Sequence, residues 1–191
     1  MTQYTEDQII AITQEWLKDF VIGLNLCPFA ALPFNKGGIR FVVETSTELK
    51  DLLESLIEES YLLDKLAREE VETTLLIHPN VLVDFETYNS FLGMIPDIIV
   101  RSGLEGIIQI ASFHPEYRFE GTEAESSENF TNRSPFPMLH LLREISVEEA
   151  VAHHPDPDAI PKRNIALMNE MGNEQLQQLL SGIYQKTLSK Q

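Results

Sequence analysis

Residues 39–77 read IRFVVETSTELKDLLESLIEESYLLDKLAREEVETTLLI, and this run holds two strand patterns separated by a helix pattern. Ile39 to Glu44 is rich in β-branched and aromatic residues, which predicts a strand. The segment 49–63 carries leucine and isoleucine at helical spacing, which predicts an amphipathic helix. Thr73 to Ile77 is a short apolar run, typical of a strand that is buried on both faces. The order strand, helix, strand indicates a parallel pair joined by a right-handed crossover.

The pattern continues on both sides of this unit. Before it, Thr5 and Gln8 match a capping box, which predicts a helix that ends near Gly23. After it, the sequence predicts a helix over 84–100 interrupted at Pro96, a third strand over 107–111, and helices from about residue 135 to the end. The predicted class is α/β, or α+β if one strand is reversed. It has a small, mainly parallel sheet of about three or more strands, flanking helices and a helical C-terminal part. No linker divides the chain, so residues 1–191 are expected to form a single domain.

Composition excludes several function classes. The chain has 191 residues, with 14 Lys and Arg against 30 Asp and Glu, so the net charge is −16. Nucleic-acid binding needs a basic face, and binding to anionic lipid needs one too, so neither partner is expected. No run of about 18 apolar residues predicts a membrane helix. One cysteine, Cys27, permits no disulfide within the chain, which is typical of the cytoplasm.

Three residues follow the ends of the three predicted strands: Glu44, His78 and His114. In an open α/β sheet such residues meet at one edge, where ligands bind. Imidazole titrates near neutral pH, so His114 is a candidate general acid or base. Two histidines with a carboxylate or Cys27 could instead hold a metal ion. The structural alternative is that each His-Pro pair simply ends a strand.

Cys27 is the second candidate, as a nucleophile or as a wall of the pocket. A thiol beside a helix end or a histidine can ionise and attack an electrophile. Its neighbours are leucine, proline and phenylalanine, however, and a cysteine in such surroundings is more often a small buried apolar residue.

The third candidate is the polar segment 129–137, which is predicted to lead into a helix that starts at Pro135. Ser134 would cap that helix, and the free N–H groups at its N-terminus would attract an anion. Arg133 would add a planar group for a carboxylate or phosphate. His140 and Arg143 would share a helix face, with His140 as the partner of His114. The predicted substrate-binding residues are Asn129, Thr131, Asn132, Arg133, Ser134 and Arg143. The alternative is ordinary helix capping, with Arg133 paired to a surface acid.

Three motifs resemble those of an uncharacterised family of small bacterial proteins. They are GLNLCPF (residues 23–29), QIASFHP (109–115) and TNRSPFP (131–137), the last followed by His140 to Glu144. The similarity spans most of the chain. It implies a cytosolic bacterial domain and assigns no activity, cofactor or catalytic residue.

The sequence therefore favours a small-molecule enzyme, a hydrolase or a group transferase, that acts on an anionic substrate. The candidate catalytic residues are Cys27, His114 and His140, no metal ligand is assigned, and any cofactor is left open. One alternative is a metal-binding protein that uses His78 and His114. Another is a regulatory or binding module whose acidic helical face, with Glu54, Glu58 and Glu59, docks a basic partner. The oligomeric state is also left open.

Overall fold

The computed structural model describes residues 2–189, in which helices and strands alternate. In chain order the elements are α1 (Glu6–Trp16) with a π-helical turn (Leu17–Ile22), α2 (Ala31–Lys36), β1 (Ile39–Val43), α3 (Leu49–Lys65), β2 (Thr73–Ile77), α4 (Phe85–Leu92), α5 (Ile95–Arg101), β3 (Ile108–Phe113), a 3₁₀-helix (Ser127–Thr131), β4 (Met138–Arg143), α6 (Glu144–His153) and α7 (Ala159–Leu188). The mixed α/β class and the helical C-terminal part are confirmed. No helix in residues 2–189 combines the length and the apolar character that crossing a bilayer requires.

The four strands form one sheet in the order β1-β2-β4-β3. β1 and β2 are parallel, as the strand-helix-strand pattern predicted. β4 lies between β2 and β3 and runs antiparallel to both, so that Met138 pairs with Ile77 on one side and with Phe113 on the other. The sheet thus has one parallel and two antiparallel pairs, which corrects the expectation of a mainly parallel sheet. β1, β2 and β3 still point in the same direction.

The prediction of a helix over about 135–145 is wrong, because β4 occupies residues Met138–Arg143. Leucine is a good helix former, and Leu139, Leu141 and Leu142 made this segment resemble a helix. In the structure Leu139 and Leu141 are fully buried in the middle of the sheet. Pairing on both edges and burial decide the conformation here, and both come from residues distant in the chain.

The first helix begins with the predicted capping box. The Thr5 side chain accepts a hydrogen bond from the Gln8 backbone, and the Gln8 side chain accepts one from the Thr5 backbone. The helix then widens into the π-helical turn, which ends before Gly23. A Cβ atom on Gly23 would lie 2.3 Å from the carbonyl oxygen of Asp19. Only glycine fits this position without a shift of the main chain.

Apolar side chains cover both faces of the sheet. One face, called here the α1 face, packs Leu75, Ile77 and Met138 against α1 and α7. The opposite face, called the α3 face, packs Leu76, Leu139 and Leu141 against α3, α4 and α5. Side chains alternate between the two faces along each strand, so the register fixes the face of each strand residue.

Tyr88 of α4 joins β3 to β4 at the edge of the sheet. Its hydroxyl accepts a hydrogen bond from the Phe113 backbone N–H at 3.1 Å and donates one to the Met138 carbonyl at 2.8 Å. Phe113 and Met138 are register partners, so the hydroxyl bridges the two strands at the end of their ladder. Tyr88 is fully buried, and burial raises the pKa of its phenol.

Candidate functional site

The strand register places the ends of β1, β2 and β3 on one edge of the sheet, and Glu44, His78 and His114 follow these ends. The rings of His78 and His114 both lie against Tyr88, with centroid distances of 5.8 and 5.0 Å. The edge predicted from the sequence is therefore present. Its groups, however, are engaged by the protein itself.

His114 is fully buried, and both of its ring nitrogens are occupied. Nδ1 accepts a hydrogen bond from the Glu116 backbone at 3.0 Å, so Nε2 carries the proton and donates to the carbonyl of Leu82 at 3.2 Å. Burial lowers the pKa of this imidazole, which keeps it neutral. A histidine with no free nitrogen and no exposed surface does not suit acid–base chemistry on a bound substrate, which corrects the role assigned from the sequence.

His78 and Glu44 are likewise bound within the protein. His78 is fully buried and donates from Nδ1 to the carbonyl of Val81 at 2.9 Å. The Glu44 carboxylate accepts hydrogen bonds from the Ser46 backbone and from the Ser55 hydroxyl. Within residues 2–189, no three side chains of the His, Cys, Asp and Glu types are grouped so that they could hold a metal ion. The metal-binding alternative gains no support from this geometry.

Cys27 lies apart from His114. It is partly exposed and packs against the core of the α1 face, whereas His114 contacts Phe85 and Tyr88 on the α3 face. Burial raises the pKa of the Cys27 thiol, although backbone hydrogen bonds lower it in part. The thiol is therefore protonated at neutral pH, and an activated nucleophile is not what these surroundings produce.

The polar segment before β4 fixes the preceding loop instead of forming a helix N-terminus. Asn129 is fully buried: its Oδ1 accepts from the Phe119 backbone and the Thr122 hydroxyl, and its Nδ2 donates to the Glu123 carbonyl. Ser134 donates to the carbonyl of Phe136, and a strand follows. The expected helix-terminal anion site is therefore absent from this part of the structure.

The neighbours of these residues are held in the same way. Thr131 donates to the Glu128 carbonyl, and Asn132 donates to the Ser112 carbonyl at 3.1 Å. These local hydrogen bonds account for the many polar residues of segment 129–134. The polar composition by itself therefore does not indicate a binding site.

The guanidinium of Arg133 also faces the protein. It donates to the carbonyls of Tyr117 and Ala124 and lies 4.4 Å from the ring centroid of Phe130. Burial lowers its pKa, while the carboxylates of Glu116 and Glu125 act in the opposite direction. With these carboxylates nearby, Arg133 is a poor receptor for an anionic substrate.

Arg143 is separated from His140 because residues three apart in a strand lie on opposite faces. Arg143 is 8% exposed, and its Nη2 donates to the carbonyls of Leu66 and Val71. It fastens the connection between α3 and β2. The helix face that it was predicted to share with His140 does not exist.

The acidic face of α3 is partly neutralised. Glu59 is buried and forms two hydrogen bonds with the guanidinium of Arg40, at 2.7 and 2.9 Å. Glu54 pairs with Lys50 one turn away, and Glu58 is exposed. The structure adds nothing that favours a partner for this face.

Among the candidate histidines of the described chain, His140 alone combines an unpaired ring nitrogen with some exposure, because Nε2 of His78 is unpaired but fully buried. It lies on the α1 face, with Nε2 2.7 Å from the Thr73 hydroxyl oxygen. That hydroxyl donates its only proton to the Leu141 carbonyl, so Nε2 must be the donor towards Thr73. In the neutral imidazole, Nδ1 then carries a lone pair. Nδ1 has no hydrogen bond to any residue in the range 2–189.

His140 lies in a partly exposed part of the α1 face, called the His140 patch below and formed by Gln109, Ala111, Phe113, His140 and Leu142. His140 keeps some contact with solvent, yet burial lowers its pKa to about 4. Ala111 is the register partner of His140, and its side chain is the smallest of the five.

Sequence reasoning missed Thr73, because the hydroxyl that orients His140 lies 67 residues away in another strand. The only local signal was the pair Thr73-Thr74 at the start of a strand that is otherwise apolar. It also missed Ala111 and Gln109, whose importance depends on the register of β3 with β4.

A family model described as "protein of unknown function (DUF1415)" matches residues 8–178. This range includes the three sequence motifs and every candidate site residue named above. No curated protein and no solved structure matches the chain. The resemblance inferred from the motifs is confirmed: the chain belongs to the DUF1415 family, a family of proteins of unknown function.

Proposed function

We propose that this protein is a small-molecule enzyme of the hydrolase or group-transferase class, with His140 as its general base. The observation that carries the proposal is the hydrogen-bond chain from His140 Nε2 through the Thr73 hydroxyl to the Leu141 carbonyl. A neighbour that fixes the tautomer of a histidine, and so directs one lone pair towards the substrate, is a recurrent feature of catalytic bases.

The role of each group follows from its position. At neutral pH His140 is unprotonated, because burial lowers its pKa to about 4. In a hydrolysis, Nδ1 would take a proton from the attacking water as the water oxygen bonds to the substrate, and would return it to the leaving group. Thr73 acts through His140 and is a positioning residue. Arg133 and Cys27 have no part in this step.

The acidic composition supports a small-molecule substrate over nucleic acid or a membrane. The net charge of −16 opposes both of these larger partners. A cytoplasmic location, inferred from the single cysteine, belongs to the same proposal.

The first experiment measures the tautomer directly. Long-range ¹⁵N–¹H correlation spectra of the full chain at pH 7 distinguish a protonated Nε2 from a protonated Nδ1. We expect His140 in the Nε2–H form. A protonated Nδ1 would remove the proposed base.

The second experiment measures turnover of a panel of carboxylic esters, thioesters and phosphate esters by the wild type and three variants. General-base catalysis contributes about 10²- to 10⁴-fold, so we expect at least a 100-fold loss in His140→Gln. His153→Gln, at an exposed histidine on α6, is the matched control and should retain full activity. Thr73→Val should lower the rate less than His140→Gln does, and it should move the acidic limb of the pH–rate profile away from about pH 4. Equal rates in the wild type and His140→Gln, or no turnover by the wild type, would count against the proposal.

A further inference from the structure

The strand residues that surround the His140 patch on the α1 face carry no charged side chain. The register places three residues of each strand on this face, and all are apolar or uncharged. They are Ile39, Phe41, Val43, Thr73, Leu75, Ile77, Gln109, Ala111, Phe113, Met138, His140 and Leu142. A ligand group that reaches this surface therefore meets no fixed charge on the strands themselves.

Two uncharged hydrogen-bonding groups flank the space in front of Ala111. His140 is the register partner of Ala111, and Gln109 is its diagonal neighbour on the same face of β3. Gln109 is exposed, and its amide makes no hydrogen bond to any residue of the described chain. Diagonal neighbours lie about 7 Å apart, a separation that one ligand group can bridge with two hydrogen bonds of about 2.9 Å.

The wall on the other side of His140 is aromatic. The ring of Phe113 lies 6.2 Å from the imidazole and 5.4 Å from the indole of Trp16, measured between centroids. Phe113 is partly exposed, whereas Trp16 is 2% exposed and donates from Nε1 to the carbonyl of Arg133. This wall offers an apolar surface to the body of a flat ligand.

The charges disfavour both classes of charged ligand. A carboxylate or phosphate would face the lone pair of Nδ1, with no cation among the strand residues of this face and a net charge of −16 on the chain. An ammonium group could donate to Nδ1, but no carboxylate lies on this face of the sheet to offset its loss of water. An uncharged group avoids the cost of moving a charge out of water.

We infer that the His140 patch binds an uncharged group in which a hydrogen-bond donor adjoins an acceptor, as in an amide or lactam, and that Gln109 is the specificity-determining residue. The ligand N–H donates to His140 Nδ1, and the ligand carbonyl accepts from the Gln109 amide. The ring or chain attached to this group packs along Phe113. The inference rests on the proposed role of His140, because it needs Nδ1 as an acceptor.

Three probes with the same aromatic body test the inference: benzamide, benzoate and benzylamine. Each is titrated into the full chain at pH 7, while NMR follows the His140 ring nitrogens and the Gln109 side-chain amide. Small probes of this kind bind with a Kd of about 1 mM, so the titration extends to about 10 mM. We expect benzamide to shift both sets of signals and to bind at least tenfold more tightly than the two charged probes.

The variant Gln109→Met keeps the length of the side chain and removes its amide. We expect it to bind benzamide about tenfold more weakly, which corresponds to one lost hydrogen bond. Gln175→Met, at an exposed glutamine on α7, is the matched control and should bind benzamide as the wild type does. His140→Gln should abolish the shift that benzamide causes in the Gln109 side-chain amide.

Each other outcome overturns the inference. These outcomes are tight binding of benzoate or benzylamine, unchanged binding by Gln109→Met, and the absence of any shift at His140. Preference for a charged probe, together with loss of turnover in His140→Gln, would leave the proposed function standing and refute only the choice of ligand. A protonated Nδ1 would refute both.

Discussion

Replacing Tyr88 with phenylalanine removes one oxygen atom from the junction of β3 and β4. The ring keeps its place against Phe85, His78 and His114, because phenylalanine has nearly the same shape. Two backbone groups each lose one buried hydrogen bond: the N–H of Phe113 and the carbonyl of Met138. The substitution therefore isolates the contribution of the bridging hydroxyl.

The magnitude follows from the two groups left behind. A buried donor or acceptor without a partner costs about 1–3 kcal/mol, and removing the buried phenol hydroxyl offsets part of that cost. Tyr88 and Met138 are both fully buried, so water cannot easily replace the hydroxyl. We expect Tyr88→Phe to lower the free energy of unfolding by about 2–4 kcal/mol.

Urea denaturation followed by tryptophan fluorescence measures this change, because the chain has one tryptophan and Trp16 contacts Phe113. Tyr117→Phe is the matched control: Tyr117 packs on Phe85, and no hydrogen bond of its hydroxyl is found within residues 2–189. We expect the control to change the unfolding free energy by less than about 0.5 kcal/mol. Equal effects of the two substitutions would refute the bridging role of the hydroxyl.

Three further outcomes are expected. Gly23→Ala should destabilise the protein by more than about 1 kcal/mol, because its Cβ would meet the Asp19 carbonyl oxygen at 2.3 Å. Gly182→Ala is the control, because a Cβ there meets nothing within 4 Å, and it should be neutral or stabilising by up to about 1 kcal/mol. Equal changes of the unfolding free energy in the two variants, measured by urea denaturation, would contradict the clash. Burial lowers the pKa of His78 from the usual 6.5 to about 4, so the unfolded chain binds more protons between these pH values. Stability should then fall on acidification by about 1.4 kcal/mol per pH unit from this group, and His78→Gln should lack that part of the slope in urea melts at pH 4.5 to 6. Asn129→Ala should accelerate amide hydrogen exchange at Phe119 by at least about tenfold, because Oδ1 of Asn129 accepts a hydrogen bond from that N–H. An unchanged exchange rate would show that Asn129 does not hold the loop in place.

Local signals predicted the elements whose pattern repeats within a few residues. The capping box of Thr5 and Gln8 located the first helix, and the strand-helix-strand run from Ile39 to Ile77 located the parallel pair. These signals succeed because hydrogen bonds and apolar spacing within one element decide them. The break in helix 84–100 falls at Gly93, and Pro96 lies in the first turn of α5 instead.

The position of β4 could not be predicted in this way. Its sequence, MLHLLR, satisfies a helix as well as a strand, and the choice depends on β2 and β3 on either side. The error extended to the site, because a helix at this point would have carried an anion-binding terminus and put His140 and Arg143 together. His140 was identified as a candidate, but its orientation by Thr73 depends on a contact across the sheet.

The segment just before β4 is held by hydrogen bonds from both α1 and α7. Trp16 donates to the carbonyl of Arg133, and Tyr184 donates to the carbonyl of Pro135. Tyr184 lies 49 residues after Pro135, so the ribosome makes this second hydrogen-bond donor only well after β4. Nascent chains that end before α7 should therefore hold the segment that leads into the central strand less firmly than the full chain does.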